Sequence, residues 1–189
     1  MLELSAAAGE IDLKYLDESG FCMWSEPSYT YYHIGEQKRL EQTKRRGRRL
    51  SIIGLLQPLV SFVYGLAIGG VNRKSYIQMM EQEAADAQRV GRIRVIVQDN
   101  GPIHRCKEVQ QLWSKWESQG LYIFFLPKYC SEMNPIESEW HHLKNSELSG
   151  QMFDDELELA YAVMDGIKAR GERGKYSTQR MKFNSCSLS

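Results

Sequence analysis

The sequence predicts an α/β fold, a mixed sheet of five strands with helices packed on both faces. Three observations predict it. The N-terminal part carries short apolar runs broken by turn-forming residues. From Ile93 onward, β-branched or aromatic runs too short for helices alternate with amphipathic helical patterns. A chain of 189 residues, 42% hydrophobic and 25% charged, is long and apolar enough to bury one core.

The elements follow in order. Ile11–Leu16 reads as a strand that gives out at Asp17-Glu18-Ser19-Gly20, with Leu13, Tyr15 and Asp17 on one face. Tyr29–Ile34 reads as a second strand. Ser51–Asn72 contains no charged residue, a length that suits a membrane span. Gln57-Pro58 and four glycines break it, so two buried strands, Leu50–Leu56 and Ser61–Ile68, joined at Gln57-Pro58-Leu59, explain it better. Lys74–Arg89 is helical, with Tyr76, Ile77, Met80 and Ala84 on its inner face. Ile93–Val97 is a central buried strand, stopped by Gln98-Asp99-Asn100-Gly101-Pro102.

Cys106–Ser118 is a helix turning Val109, Leu112, Trp113 and Trp116 inward. Leu121–Leu126 is a strand ended by Pro127. Asn134-Pro135 marks a helix start, with Asn as the cap and Pro at the first helical position. The helix Ile136–Asn145 sets Ile136, Trp140 and Leu143 on one stripe. Asp154–Arg170 is the last helix, presenting Leu157, Ala160, Tyr161, Val163, Met164 and Ile167. Residues 1–170 are expected to form one catalytic domain, followed by a polar, loosely held tail over 171–189.

Lys and Arg number 24 and Asp and Glu 24, so net charge says nothing about nucleic acid. Local charge does. The stretch 37–50 holds Lys38, Arg39, Lys44, Arg45, Arg46, Arg48 and Arg49 against the single acid Glu41. Of a solvated loop and a DNA-binding surface, the second is favoured, because each cation that meets a phosphate releases a counterion. Cys22, Cys106, Cys130 and Cys186 lie too far apart for a zinc or redox motif and read as reduced thiols of a cytosolic protein. Residues 1–13 lack the basic start and apolar stretch of a signal peptide.

Three acids carry the chemistry. In such sheets ligands gather at the carboxyl ends of strands, where Asp17 and Asp99 fall. Glu137 falls in the first turn of a helix. If the three converge, their mutual repulsion is relieved by a hard divalent cation, Mg²⁺ or Mn²⁺. Each has a structural alternative. Asp17 can open a turn, Asp99 can stabilise the Asn100-Gly101 turn, and Glu137 can complete a capping box with Asn134. Periodicity does not choose between Glu137 and Glu139. His104 either orients a phosphate or water or packs. His141 and His142 lack partners at zinc-ligand spacing. Trp113, Trp116 and Trp140 read as core.

Two segments carry a resemblance: Gln98-Asp99-Asn100-Gly101-Pro102-Ile103-His104, and Phe125-Leu126-Pro127-Lys128-Tyr129-Cys130-Ser131-Glu132-Met133-Asn134-Pro135-Ile136-Glu137-Ser138-Glu139-Trp140. They resemble the mariner superfamily of DDE transposases, particularly its bacterial insertion-sequence branch, and Asp17-Glu18-Ser19-Gly20-Phe21 looks like that family's first-acid segment. The likeness spans Asp17 to Lys144. It implies an RNase H-like fold, metal-dependent DNA cleavage at transposon ends, and strand transfer into target DNA. Asp17, Asp99 and Glu137 become the catalytic, metal-binding acids for Mg²⁺ or Mn²⁺, two ions in all, with Asn100, His104 and Asn134 as auxiliary residues. Glu137 is preferred to Glu139 because it directly follows Asn134-Pro135-Ile136.

The implied partners are double-stranded DNA, both transposon ends and target, and a second copy of the chain on that DNA. The implied location is the bacterial cytoplasm, at the nucleoid. Thirty-seven residues lie between Asp99 and Glu137, slightly more than the family's usual spacing, and Cys130 and Glu132 depart from its pattern. The family's helix-turn-helix portion does not fit ahead of Asp17. A catalytic half is therefore expected, with that portion supplied separately. The alternative is a non-catalytic DNA-binding or assembly module derived from a transposase.

Overall fold

A ten-residue strand, β1 (Asp12–Phe21), organises the computed structural model, which describes residues 1–23, 49–127 and 133–183. From β1 the chain meanders antiparallel through β2 (Leu50–Gln57) and β3 (Ser61–Ile68). On its other side β1 pairs parallel with β4 (Arg94–Gln98), and β4 with β5 (Leu121–Phe125). A last strand, β6 (Ser177–Met181), runs parallel to β3. The sheet order is β5-β4-β1-β2-β3-β6.

Helices cover both faces. Leu16, Ile53, Leu55 and Ile96 pack with Tyr76 and Met80 of α2 (Arg73–Val90) and Trp116 of α3 (Lys107–Ser118). Leu13, Tyr15, Ile52, Leu56 and Phe62 pack with Ile136 and Trp140 of α4 (Ile136–His142) and Leu159, Val163 and Ile167 of α5 (Glu156–Gly174). A short α1 (Leu2–Ala7) lies against β1 on that second face. Because β2 is buried on both faces it reads as a continuous apolar run, with Ile52, Ile53 and Leu55 fully buried. The uncharged run is thus two strands, and no described helix is long and apolar enough to cross a membrane.

Local chemistry fixes the ends of α2. Asn72 accepts hydrogen bonds from the backbone N–H groups of Lys74 and Ser75 at 2.9 and 3.1 Å. Gly91 takes the left-handed conformation, φ 70°, that stops the helix. A buried ionic cluster then ties α2 to the start of β1 and β4. Glu83 receives Lys14 at 2.6 Å and Arg94 at 2.7 Å, and Arg94 also reaches Asp86 at 2.9 Å and Asp12 at 3.3 Å.

Among the described residues the sheet has six strands, not five. The sixth comes from the stretch expected to be a loose tail. As an edge strand β6 turns only Met181 fully inward, so Ser177, Gln179 and Arg180 stay exposed and no apolar period marks it. β1 also runs past Asp17, because Ser19 and Gly20 pair with Ile52 and Ser51 of β2. In α5 the buried stripe is Leu159, Val163 and Ile167, while the expected inner residues Leu157 and Tyr161 are exposed. The face that meets the sheet is the i, i+4, i+8 row Leu159, Val163 and Ile167, on which Leu157 and Tyr161 do not fall. The expected strand Tyr29–Ile34 and the basic residues Lys38 to Arg48 lie outside the described residues.

Candidate active site

Register brings two of the acids to one level. The parallel β1–β4 ladder ends at Tyr15 opposite Val97. Asp17 and Asp99 each lie two residues beyond that last pair, Asp99 just after the last residue of β4. Asp17 is not at a strand end, as the turn-like sequence after it suggested. It lies within β1 opposite Gly54 of β2, beyond the point where β1 loses its parallel neighbour.

Two side chains dock α4 onto this part of β1. Trp140 donates its indole Nε1–H to Asp17 Oδ2 at 3.0 Å. Glycine at position 54 permits this: a Cβ there would lie 2.6 Å from Trp140 Cη2 and 2.9 Å from Phe62 Cε2. Asn134 Nδ2 donates to the backbone oxygen of Leu16 at 3.2 Å. Asn134 is 4% exposed, its Oδ1 has no partner among the described residues, and it caps nothing. The capping-box reading of Asn134 and Glu137 therefore does not hold. The cap position falls on Pro135, without a side-chain bond, and the Glu137 N–H goes to the backbone oxygen of Asn134. Trp140, expected only as core, is both buried and a hydrogen-bond donor to Asp17.

The two glutamates of this helix separate. Glu139 accepts from Arg170 Nε and Nη2, each at 3.0 Å, and from Tyr176 at 2.9 Å. It is committed to holding α5. No hydrogen bond or ion pair among the described residues holds the Glu137 side chain, and its charge contributes to the environment of Asp17. Burial raises the Asp17 pKa to about 6, with Glu18 and Glu137 adding to the rise and the Glu18 backbone N–H and Trp140 opposing it.

Asp99 is held differently. Its Oδ1 accepts the Gly101 backbone N–H at 2.9 Å and lies 2.8 Å from His104 Nδ1. The His104 bond lowers its pKa, against the opposing effect of burial. His104 is 1% exposed, packs at a 33° tilt against Tyr76 with ring centroids 4.7 Å apart, and meets Glu18 Oε1 with Nε2 at 2.8 Å. Burial disfavours the charged imidazole, but the bonds to Asp99 and Glu18 outweigh it and push the pKa up to about 9. With both nitrogens engaged, His104 has none free for a phosphate or water. Asn100 donates to the Leu126 backbone oxygen at 2.6 Å, tying the turn to the end of β5.

Two cations border the acids. Lys144, on the π-helical turn Leu143–Glu147 that continues α4, sits 5.5 Å from the Phe21 ring, and no carboxylate among the described residues pairs with it. Burial lowers its pKa, and the nearby Arg49 lowers it further. Arg49 itself lies over Gly20 and is exposed. Sequence reasoning missed Glu18 and Lys144. Glu18 adjoins an acid and read as part of a turn, and Lys144 falls beyond the motif on a helix whose last turn changes pitch.

The donor set suits a hard divalent ion through Asp17 and Glu137. Their unneutralised charges stand together at a partly buried position, and Asp99 adds a carboxylate at the same level. Among the described residues, though, no three His, Cys, Asp or Glu side chains stand close enough together to hold an ion as placed.

Comparison with known proteins points one way. A sequence model of the family described as DDE superfamily endonuclease matches residues 12–160. No curated protein sequence matches the chain. Among solved structures, the mariner Mos1 paired-end complex with Mg superposes with a TM-score of 0.62 at 17% identity, over 92% of this chain and 57% of that one. The corresponding complex with Mn gives 0.62 at 16%, over 92% and 57%. The isolated catalytic domain of Mos1 mariner transposase gives 0.55 at 15%, over 92% and 85%. The shared fold is that of transposase RNase H-like catalytic domains, and the chain spans little more than half the length of the full transposases it matches.

Proposed function

The chain belongs to the DDE superfamily endonucleases, and from that membership we propose that it is the catalytic domain of a transposase of the bacterial insertion-sequence branch. It cleaves DNA at transposon ends and transfers the freed strand into target DNA. One observation carries this reading: Trp140 and Asn134 dock the helix bearing Glu137 onto β1 beside Asp17, at the level where Asp99 leaves β4.

Asp17, Asp99 and Glu137 would hold Mg²⁺ or Mn²⁺, two ions supplying activation of the attacking oxygen and stabilisation of the leaving one. The chain's own residues prepare that chemistry. Trp140 fixes one oxygen of Asp17. Gly101 and His104 fix one oxygen of Asp99. Lys144 and Arg49, with the basic residues Lys38, Arg39, Lys44, Arg45, Arg46 and Arg48, contact the DNA phosphates. Neighbouring structures named as paired-end complexes support action on transposon ends; the reading adds a homodimer on the DNA and end recognition by a separate helix-turn-helix portion.

The test is nicking of supercoiled plasmid in Mn²⁺, followed by strand transfer from pre-cleaved duplexes with 3′-hydroxyl ends. Asp99→Asn, shown to be folded, should do neither. Equal activity in that variant would overturn the site assignment. A second reading, a non-catalytic DNA-binding or assembly module, has one observation in its favour: among the described residues no three ligand side chains meet as placed. Full DNA binding in EDTA with no cleavage in any divalent metal would select it.

A further inference from the structure

Asp17 and Glu18 are adjacent in β1 and so face opposite sides of the sheet. Asp17 points to Trp140 of α4, and Glu18 to His104. Glu18 therefore cannot share the ligand position of Asp17, and its carboxylate is spent elsewhere. Its Oε1 lies 2.8 Å from His104 Nε2, and the other ring nitrogen lies 2.8 Å from Asp99 Oδ1.

We propose that Glu18 is a positioning residue, which holds the buried His104 ring so that the ring in turn fixes the carboxylate of Asp99 at the end of β4. The inference rests on the reading of Asp99 as a metal ligand.

The geometry leaves the ring little freedom. His104 is 1% exposed and packs at a tilt against Tyr76, itself fully buried and hydrogen-bonded to Gln98 at 3.0 Å. The tilted contact with Tyr76 limits the ring on one side, and bonds at its two nitrogens fix its remaining rotation about the side-chain torsions. One nitrogen meets Asp99, whose side chain is 63% exposed and sits on a turn. The other meets Glu18, whose backbone is held in β1 by pairing with Ile53. Glu18 is thus the rigid end of the chain of contacts and Asp99 the end that needs holding. A space for a side chain at position 101 is also lacking: a Cβ there would lie 3.0 Å from Asp99 Oδ1 and 3.3 Å from His104 Nδ1. Groups that orient metal ligands in this way act on affinity at a distance, and their loss lowers it roughly 10–100-fold.

The test uses the full chain with histidine labelled in its ring nitrogens, as parent, Glu18→Ala, Glu18→Gln and Asp99→Asn. In the metal-free protein, both ring N–H protons of His104 should be protected in the parent. In Glu18→Ala the Nε2 proton should be lost and the proton facing Asp99 should broaden. Glu18→Gln keeps an oxygen acceptor and should restore the proton facing Asp99 while shifting the Nε2 signal. An unchanged proton facing Asp99 in Glu18→Ala overturns the inference. Should Glu18→Ala not fold, an unmoved Nε2 signal in Glu18→Gln overturns it as well.

Calorimetric titration with Mn²⁺ alone adds the functional readout. Glu18→Ala should bind at least about tenfold more weakly and Glu18→Gln within about threefold of the parent, as expected for loss and retention of an orienting bond. Equal Mn²⁺ binding in parent and Asp99→Asn would sink the metal reading of Asp99, whereas Asp99→Asn weakened and Glu18→Ala unaffected would sink only the role of Glu18.

Discussion

Trp140 donates its indole N–H to Asp17 across 3.0 Å, joining the helix that carries Glu137 to the strand that carries Asp17. The bond stabilises the carboxylate, yet burial wins, and the Asp17 pKa rises from 3.8 to about 6. The sign follows. A carboxyl group whose folded pKa exceeds its unfolded value binds more protons when folded, so metal-free stability falls as pH rises from 3.8 to about 6 and stays lowered above that. Asp17→Asn keeps an oxygen for Trp140 and removes the charge. It should raise metal-free stability at pH 7.5 by about 1–3 kcal/mol, allowing for partial solvent screening. The same substitution should abolish stabilisation by Mg²⁺. Urea unfolding at pH 5 and pH 7.5, with and without Mg²⁺, checks both. A parent more stable than the variant at pH 7.5 without metal would contradict the burial argument.

Glu137 and Glu139 should give opposite phenotypes. Glu139 joins Arg170 and Tyr176, and the Arg170 and Glu139 side chains are 22% and 18% exposed. Glu139→Ala strands a partly buried guanidinium and should cost about 1–3 kcal/mol. Below its lowered melting point it should still cleave DNA. Glu137→Gln should melt like the parent and not cleave. Thermal melts paired with plasmid nicking separate the two, and a swap of phenotypes would move the third acid to Glu139.

The cluster around Glu83 makes a stability prediction remote from the acids. Glu83 joins Lys14 and Arg94, whose side chains are 7% and 4% exposed. Arg94 keeps Asp12 and Asp86 when Glu83 is removed, but Lys14 loses its only salt-bridge partner among the described residues. Glu83→Ala should therefore destabilise by about 3–5 kcal/mol. The double change Lys14→Met with Glu83→Leu should recover most of that, since a buried pair replaced by apolar groups leaves no orphaned charge. Failure of the double variant to recover would show that the cluster, and not the unpaired lysine, sets the cost.

Much of this was legible in the sequence, for physical reasons that differ by element. β2 and β4 announce themselves because burial imposes apolar runs, β5 because its aromatic and β-branched residues suit a strand even though Tyr122 and Phe124 stay exposed, and α2 because Tyr76, Met80 and Ala84 recur at helical spacing. β6 hid because an exposed edge strand needs almost no apolar residues. The span of β1 hid because Ser19-Gly20 carries turn chemistry that pairing with β2 overrides. At the candidate site the three acids were visible as residue types at strand ends and a helix start. What joins them was not. Asn134 looks like a helix cap but spends its amide on Leu16, and the Glu18–His104–Asp99 contacts link positions 86 and 5 residues apart, which no local pattern encodes.

Lys144 offers the last test, because its position conflicts with a purely structural role. A half-buried ammonium is costly, and this one has the Phe21 ring at 5.5 Å and feels the charge of Asp17, but forms no salt bridge with a carboxylate among the described residues. Burial depresses its pKa first and the neighbouring Arg49 second, so the pair concentrates positive charge beside Asp17. An anion at that place would relieve both effects, and a DNA phosphate is the anion the proposed reaction brings. Lys144→Ala should weaken binding to duplex DNA in EDTA about equally across sequences. It should also reduce the slope of log affinity against log salt by about one. Its thermal stability should fall little, since removing a partly buried charge that forms no salt bridge among the described residues offsets the lost contacts with Phe21 and Asp17. Fluorescence anisotropy across a salt series measures the slope. A slope equal to the parent's, with affinity also unchanged, would place Lys144 outside the DNA path and leave the cost of its burial without a functional account.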